Sequence, residues 1–432
     1  MSNDPTSVSA LHHSLEVPTT TMFRRIETWC YVAALAAFSA AARSADQPQN
    51  WKAGNATAVI TPKISMLMAG YAARKEPSEG TEQDLFAKAL AFEDQGGTRV
   101  VFITLDLIGV SAPLRETVTR QLQSKFNLPP EAVVMNASHT HCGPAYTGIN
   151  AESYFQFLTK TLVDVAGQAI NDLQPAALNY SSARCGFAMN RRTATPTGYR
   201  NHPNPDGVVD HSVPVLSILD ASGKLRSVLF GYACHNTTMG FRKWLGDYAG
   251  YAQEYSEQDH PGVTAHFFMG SGGDQNPYPR SELLYAKQHG RSLATAVAAA
   301  IETNQAIKLH QHALHGPLKF AYETVSLDYT DAARKPCSYP IQIVQFGNDL
   351  SIIALASETV VDYSLRLKSE LSSATGPAIW IAGYSNAMEG YIPSRRVLLE
   401  GGYEAESRPW QPTLEERIVA KVHELHARLR GR

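Results

Sequence analysis

Ala132-Val133-Val134-Met135-Asn136-Ala137-Ser138-His139-Thr140-His141-Cys142-Gly143-Pro144 opens on an apolar run and closes on two histidines and a chain breaker. A short, mostly apolar run bounded by turn residues fits a strand buried on both faces. Side chains alternate across a strand, so carrying the pleat through His141 places both imidazoles on one side. Gly143-Pro144 then stops the strand, leaving the pair at its carboxyl end. Neutral imidazole is the commonest protein ligand for zinc. Taken alone, the pair reads equally well as two hydrogen-bonded histidines. A second apolar run, Arg226–Ala233, ends in Cys234-His235-Asn236-Thr237-Thr238-Met239. A third, Leu350–Ala356, ends in Ser357-Glu358, which reads as an N-cap and the opening residue of a helix Glu358–Leu371. The helix dipole alone favours a carboxylate there; the same carboxylate can also join the histidines on a metal. Three strands each ending in a His or Glu form the layout of an α/β active site.

Strand and helix patterns alternate along the rest of the chain. Further strands are expected at Arg99–Leu107, Val213–Leu219, Val263–Met269, Ile341–Phe346 and Ala378–Gly383, and helices at Ala112–Phe126, Ala151–Leu173 and Glu282–Thr303. A last helix begins at Thr413-Leu414-Glu415-Glu416, a capping-box pattern, and carries Leu414, Ile418, Val422 and Leu425 as a docking stripe. No internal repeat or Pro/Gly/Ser-rich linker divides it. The fold class expected is α/β, with mixed buried sheets flanked by helices in a single large domain over 46–432. The polar segments Thr193–Asp210 and Gly401–Pro412 read as loops that line a cleft.

Five motifs taken in order resemble the neutral/alkaline (non-lysosomal) ceramidase family. They are Ser138–Pro144, Ala233–Met239, Gly273-Asp274-Gln275-Asn276-Pro277, Ser357-Glu358, and Ser385-Asn386-Ala387-Met388-Glu389-Gly390-Tyr391-Ile392. The resemblance runs from about Trp51 to Tyr403. It implies a zinc amidase that splits N-acyl-sphingosine, one Zn²⁺ per chain, and His139, His235, Glu358 and Tyr391 as its ligands. It implies His141 as base or oxyanion partner beside the metal, and Asn190-Arg191 as a substrate contact, with Asp274 and Asn276 in the catalytic segment. Gly246-Asp247-Tyr248-Ala249-Gly250-Tyr251 resembles a family loop after the second histidine. Two departures stand out. Asn276 occupies the position of a family serine, and an amide cannot act as nucleophile although it can donate to an oxyanion. The expected domain is the catalytic one alone, with no immunoglobulin-like domain after it.

Composition narrows the alternatives. The 432 residues are 44% hydrophobic with a formal charge of −2 and no face-sized basic run, which argues against a nucleic-acid partner. No Gly-x-Ser-x-Gly elbow or Gly-x-Gly-x-x-Gly loop is present, which excludes those serine-hydrolase and nucleotide readings. Met22-Phe23-Arg24-Arg25, the apolar core Tyr31–Phe38 and Ala40-Ala41-Ala42 form an export signal within residues 1–45, with translation starting at Met22. The competing reading is a tail leading into an ordinary helix. The core is too short to span a bilayer, so the expected product is secreted or periplasmic with at most peripheral membrane contact. Outside Cys30, the cysteines Cys142, Cys185, Cys234 and Cys337 read as buried thiols or as two disulfides in any of three pairings. Cys142 and Cys234 each neighbour a site histidine and could be close enough to bridge; metal-binding thiolates are the lower-ranked alternative, since neither forms a Cys-x-x-Cys pair. Other histidines, among them His12, His13 and His426, read as surface residues. The expected activity is hydrolysis of a small-molecule or lipid amide by zinc-activated water. The alternatives are a related zinc hydrolase for a non-sphingolipid amide or ester, and a non-catalytic binding protein on the same scaffold.

Overall fold

Alternation of side chains sorts the apolar strands into two stacked sheets. In strand Leu350–Leu355, Ile352 and Ala354 face one core while Ile353 and Leu355 face another; Trp380 and Ala382 divide from Ile379 and Ile381 in the same way. The computed structural model describes residues 50–147, 151–307 and 312–431. The export-signal reading, His12 and His13 lie outside them. A nine-stranded sheet runs in the order Thr264–Met269, Leu225–Tyr232, Ser212–Asp220, Gln174–Arg184, Trp51–Val59, Phe86–Asp94, Arg99–Leu105, Val133–Ala137, with His312–Ala313 paired beside Gln174–Arg184. One of its faces packs on a four-stranded sheet of Leu318–Leu327, Cys337–Phe346, Leu350–Leu355 and Ala378–Ala382, through Phe92, Phe102, Leu216 and Phe268 against Phe346, Ile352 and Trp380. Helices Ala112–Phe126 and Glu152–Asn171 cover part of the opposite face, and Asp247–Asp259 with Leu283–Ile307 cover the rest. Helices Val361–Leu371 and Leu414–Leu429 cover the far side of the smaller sheet. The result is an α/β fold with mixed sheets between helical layers. Among the described residues no helix is long and apolar enough to cross a membrane.

Three parallel strand pairs set up the site: Arg99–Leu105 with Val133–Ala137, Leu225–Tyr232 with Thr264–Met269, and Leu350–Leu355 with Ala378–Ala382. The fully buried Asn136 ties their ends together. Its Nδ2 donates to Gly383 O at 2.7 Å and Ser385 Oγ at 3.0 Å, and its Oδ1 accepts from Met269 N at 2.7 Å. A carboxamide with donors and acceptor all used in this way bridges the two sheets without leaving polar groups unpaired.

Several local expectations change. Ser357 is not an N-cap: it takes φ +66°, its Oγ accepts from Glu389 N at 2.9 Å, and Glu358–Thr359 forms a short parallel ladder with Tyr391–Ile392. The helix starts at Val361 instead. Thr413 makes no side-chain cap, and Glu416 pairs with Arg366 at 2.7 Å rather than closing a capping box. The stripe Leu414, Ile418, Val422 and Leu425 is buried as expected. The Thr193–Asp210 segment is largely a hairpin, Ala188–Thr195 with Gly198–Asn204. His426 is buried beside Ser351 Oγ at 3.4 Å, because its helix turns that face inward. Cys142, Cys185, Cys234 and Cys337 are buried free thiols, so no disulfide joins the histidine loops.

Candidate metal centre

The two histidines of the opening motif converge, but not through strand alternation. The strand ends at Ala137, and His139 turns into the left-handed region at φ +61°. That turn brings His139 Nε2 and His141 Nε2 to 3.1 Å. A bridge between Thr140 and Asn236 then locks this loop to the His235 loop, with His141 N donating to Asn236 O at 3.3 Å. Glu358 Oε2 lies 3.2 Å from His139 Nε2 and 3.2 Å from His235 Nε2. Tyr391 Oη lies 3.2 Å from His235 Nε2. Glu358 and Tyr391 are register partners in the short ladder, which is why residues 33 positions apart reach one point. Glycine permits two close approaches. A Cβ on Gly70, at φ +100°, would sit 2.5 Å from the His141 ring, and one on Gly273 would sit 2.6 Å from Glu358 O.

The rings differ in how they are held. His139 Nδ1 donates to Ile108 O at 2.6 Å and His235 Nδ1 to Gly272 O at 2.7 Å. Each bond leaves Nε2 as a bare lone pair aimed at the cluster. His141 Nδ1 has no hydrogen-bond partner, so nothing behind this ring fixes its tautomer. Burial, and the charge of Arg191, push His235 down to about 3. Burial beside His139 and His235 likewise holds His141 well below the usual imidazole value.

These groups fit a metal ion. Two lone pairs point at a carboxylate oxygen that is itself buried and lacks a donor. Acceptors facing acceptors in a buried site call for a proton or a cation between them. The ligand atoms of His139, His141 and His235 all lie within 4.8 Å of one another. Imidazole nitrogen and carboxylate oxygen are donors that divalent metals such as zinc accept.

Around this cluster, Arg191 gathers the remaining expected residues. Its Nη2 donates to Tyr391 Oη at 2.9 Å and to Gly273 O at 2.7 Å, and its Nη1 to Asn276 Oδ1 at 3.1 Å. Asn276 Nδ2 donates to Tyr278 Oη at 3.4 Å. Asp274 is not brought to the histidines. Its carboxylate accepts from Val361 N at 2.8 Å and Asn190 Nδ2 at 3.1 Å, anchoring the start of a helix, and burial raises it to about 6. The sequence reading missed four neighbours. Tyr71 packs edge-on against His141 at 4.7 Å, and Tyr384, fully buried, packs on His139 at 4.5 Å. Tyr403 lies 5.2 Å from the Tyr391 ring, and Glu404 accepts from Arg191 Nε at 2.8 Å. The last two fall in the segment read as a cleft-lining loop, whose composition carried no signal for a buried carboxylate.

The family profile described as neutral/alkaline non-lysosomal ceramidase, N-terminal, matches residues 51–277. The chain belongs to that family. It is 28% identical over 267 residues to the neutral ceramidase of Pseudomonas aeruginosa, a match covering 56% of this chain and 39% of that one. Neutral ceramidase A of Dictyostelium discoideum is 28% identical over 252 residues, covering 51% and 35%. The matches thus span less than two fifths of either relative. The crystal structure of the Pseudomonas aeruginosa neutral ceramidase superposes with a TM-score of 0.75 over 88% of this chain and 75% of that one, at 19% identity. A ceramidase complexed with C2 gives 0.73 at 19% identity, over 87% and 76%. The fold is therefore that of the neutral ceramidases. His139, His141, Arg191, His235, Asp274 and Asn276 fall inside the span matched by the ceramidase profile, whereas Glu358 and Tyr391 lie beyond it.

Proposed function

We propose that this ceramidase-family chain is an exported zinc-dependent amidohydrolase that cleaves the N-acyl bond of a lipid amide of ceramide type. The observation that carries the reading is the buried cluster of lone pairs around a donorless carboxylate oxygen, an arrangement that a bound cation would complete. His139, His235, Glu358 and Tyr391 would hold the ion. Zinc, when bound, supplies a water acidified to near neutrality and a Lewis acid for the carbonyl. His141 is the proton-handling ring because its Nδ1 is not pinned, unlike those of the two ligand imidazoles. It takes a proton from the attacking water and passes one to the leaving nitrogen. Arg191 holds Asn276 by its Oδ1, which turns Nδ2 away from Arg191; one of its two N–H groups donates to Tyr278 Oη, and the second would serve the developing oxyanion. Asn276 donates and does not attack, so the chemistry rests on water. Asp274 positions this segment from behind.

Metal content of the purified chain, measured beside His235→Ala, tests the reading. About one zinc per wild-type chain, lost in the variant together with cleavage of N-acyl-sphingosine, is the expected result. A zinc-free but active His235→Ala protein overturns the mechanism. Zinc with cleavage only of short amides or esters moves the substrate away from sphingolipids, and metal-free wild type returns the scaffold to a binding role.

A further inference from the structure

Arg191 and Arg192 are adjacent in strand Ala188–Thr195, and a regular pleat would send them to opposite faces. The pairing with strand Gly198–Asn204 slips between Asn190 and Arg192, a bulge of the kind that re-aims side chains beside active sites. Both guanidiniums consequently reach one carboxylate. Arg191 Nε donates to Glu404 Oε1 at 2.8 Å, and Arg192 Nη1 donates to Glu404 Oε2 at 2.6 Å. All three side chains are buried, with 4%, 2% and 2% of their surface exposed. Gly401 and Gly402, at φ +70° and +82°, make the corner that delivers Glu404 to this point. Trp410 Nε1 donates to Tyr391 O at 2.9 Å and fastens the far end of the same segment. Arg192 has a second carboxylate, Glu400, at 3.0 Å, and a backbone carbonyl, Gly401 O, at 2.8 Å. Arg191 meets the carboxylate of Glu404 through Nε, and its remaining donors go to Gly273 O, Asn276 and Tyr391.

We propose that Glu404 is a positioning residue for the metal centre: by clamping Arg191 Nε it holds the guanidinium on Tyr391 Oη and Asn276 Oδ1, fixing the fourth ligand and the oxyanion donor together. The inference rests on the zinc reading above. It makes the centre depend on a carboxylate that touches neither metal nor substrate. Groups outside the ligand shell commonly change metal affinity 10- to 100-fold when removed, through the orientation they impose.

The test is zinc affinity, measured by chelator competition on the full chain. Glu404→Gln is expected to weaken binding about tenfold, and Glu404→Asp to recover part of that loss. Glu400→Gln also removes a carboxylate from Arg192 but does not touch Arg191, and is expected to leave the affinity unchanged. If Glu404→Gln does not fold, because two buried cations then lose a shared carboxylate, the double variant Arg192→Met/Glu404→Gln restores the charge count. It is compared with Arg192→Met alone, and the same weakening is expected. Wild-type affinity in Glu404→Gln, or equal losses in Glu404→Gln and Glu400→Gln, overturn the positioning role while the zinc reading stands. A wild-type chain that binds no zinc overturns both.

Discussion

The nine-stranded and four-stranded sheets both bring proposed ligands to the centre from the ends of parallel strand pairs, but they hold them differently. The larger sheet supplies imidazoles, each oriented by a backbone carbonyl, Ile108 O for His139 and Gly272 O for His235. The smaller sheet supplies Glu358 and Tyr391 through a two-residue ladder. Here Tyr391 meets Arg191, while Glu358 Oε2 has no donor. A neutral ligand needs orientation only, and local backbone provides it. An anionic ligand taken out of water also needs compensating charge, which the backbone cannot provide. The imidazole half is therefore complete within its own loops, whereas the Glu358 and Tyr391 half calls for charge from outside, which the proposed metal and the Arg191 network would supply.

The largest effect should come from exchanging that charge for a neutral amide. Glu358→Gln keeps the shape of the side chain, and its Nε2 can donate to the facing lone pair of His139 or His235. Zinc affinity should fall by well over tenfold, exceeding the effect of an outer-shell change, while the metal-free protein becomes about 1 kcal/mol more stable through the new hydrogen bond. Opposite signs in calorimetry with and without zinc would confirm the asymmetry; a parallel loss in both states would break it.

Next comes the stitch between the sheets. Asn136→Ala leaves Met269 N and Gly383 O without their buried partner, at a cost of about 3 kcal/mol in denaturant unfolding. If the two halves are independently rigid, zinc affinity will survive once unfolding is accounted for; if Asn136 aligns them, affinity falls as well.

A smaller, pH-dependent effect belongs to the larger sheet alone. Burial raises Asp106, whose Oδ2 accepts from Phe86 N at 3.0 Å, from 3.8 to about 6. Raised in the folded state, this carboxyl contributes its stability below about pH 4, and loses it as pH climbs through about 6. At one pKa unit per 1.36 kcal/mol the change is about 2–3 kcal/mol. Asp106→Asn should flatten the fall in stability between pH 4 and pH 7. An unchanged pH slope would show that the carboxyl is solvated before it ionises.

The apolar runs were legible because periodicity and turn residues are local properties. The helix Ala112–Phe126 falls where its pattern placed it, and the strand ending at Ala137 stops at the expected residue. Convergence of His139, His141 and His235 could be anticipated from strand ends, although the left-handed turn at His139, not the pleat, does the converging. Ser357 and Thr413 show the limit of cap signatures. Each carries the right residue type, but Ser357 Oγ is taken by Glu389 N and Glu416 by Arg366, because tertiary partners outcompete local ones.

From sequence alone follow the α/β class, the strand ends that carry chemistry and the residue types gathered there, since each rests on short-range patterns of polarity. The tertiary structure decided the rest: the pairing of Glu358 with Tyr391, the bulge that turns Arg191 and Arg192 to one side, and the carboxylate of Glu404, 213 residues away, that receives them. Such contacts have no period and no neighbouring signal. They exist because buried charges must find partners wherever the folded chain happens to bring them.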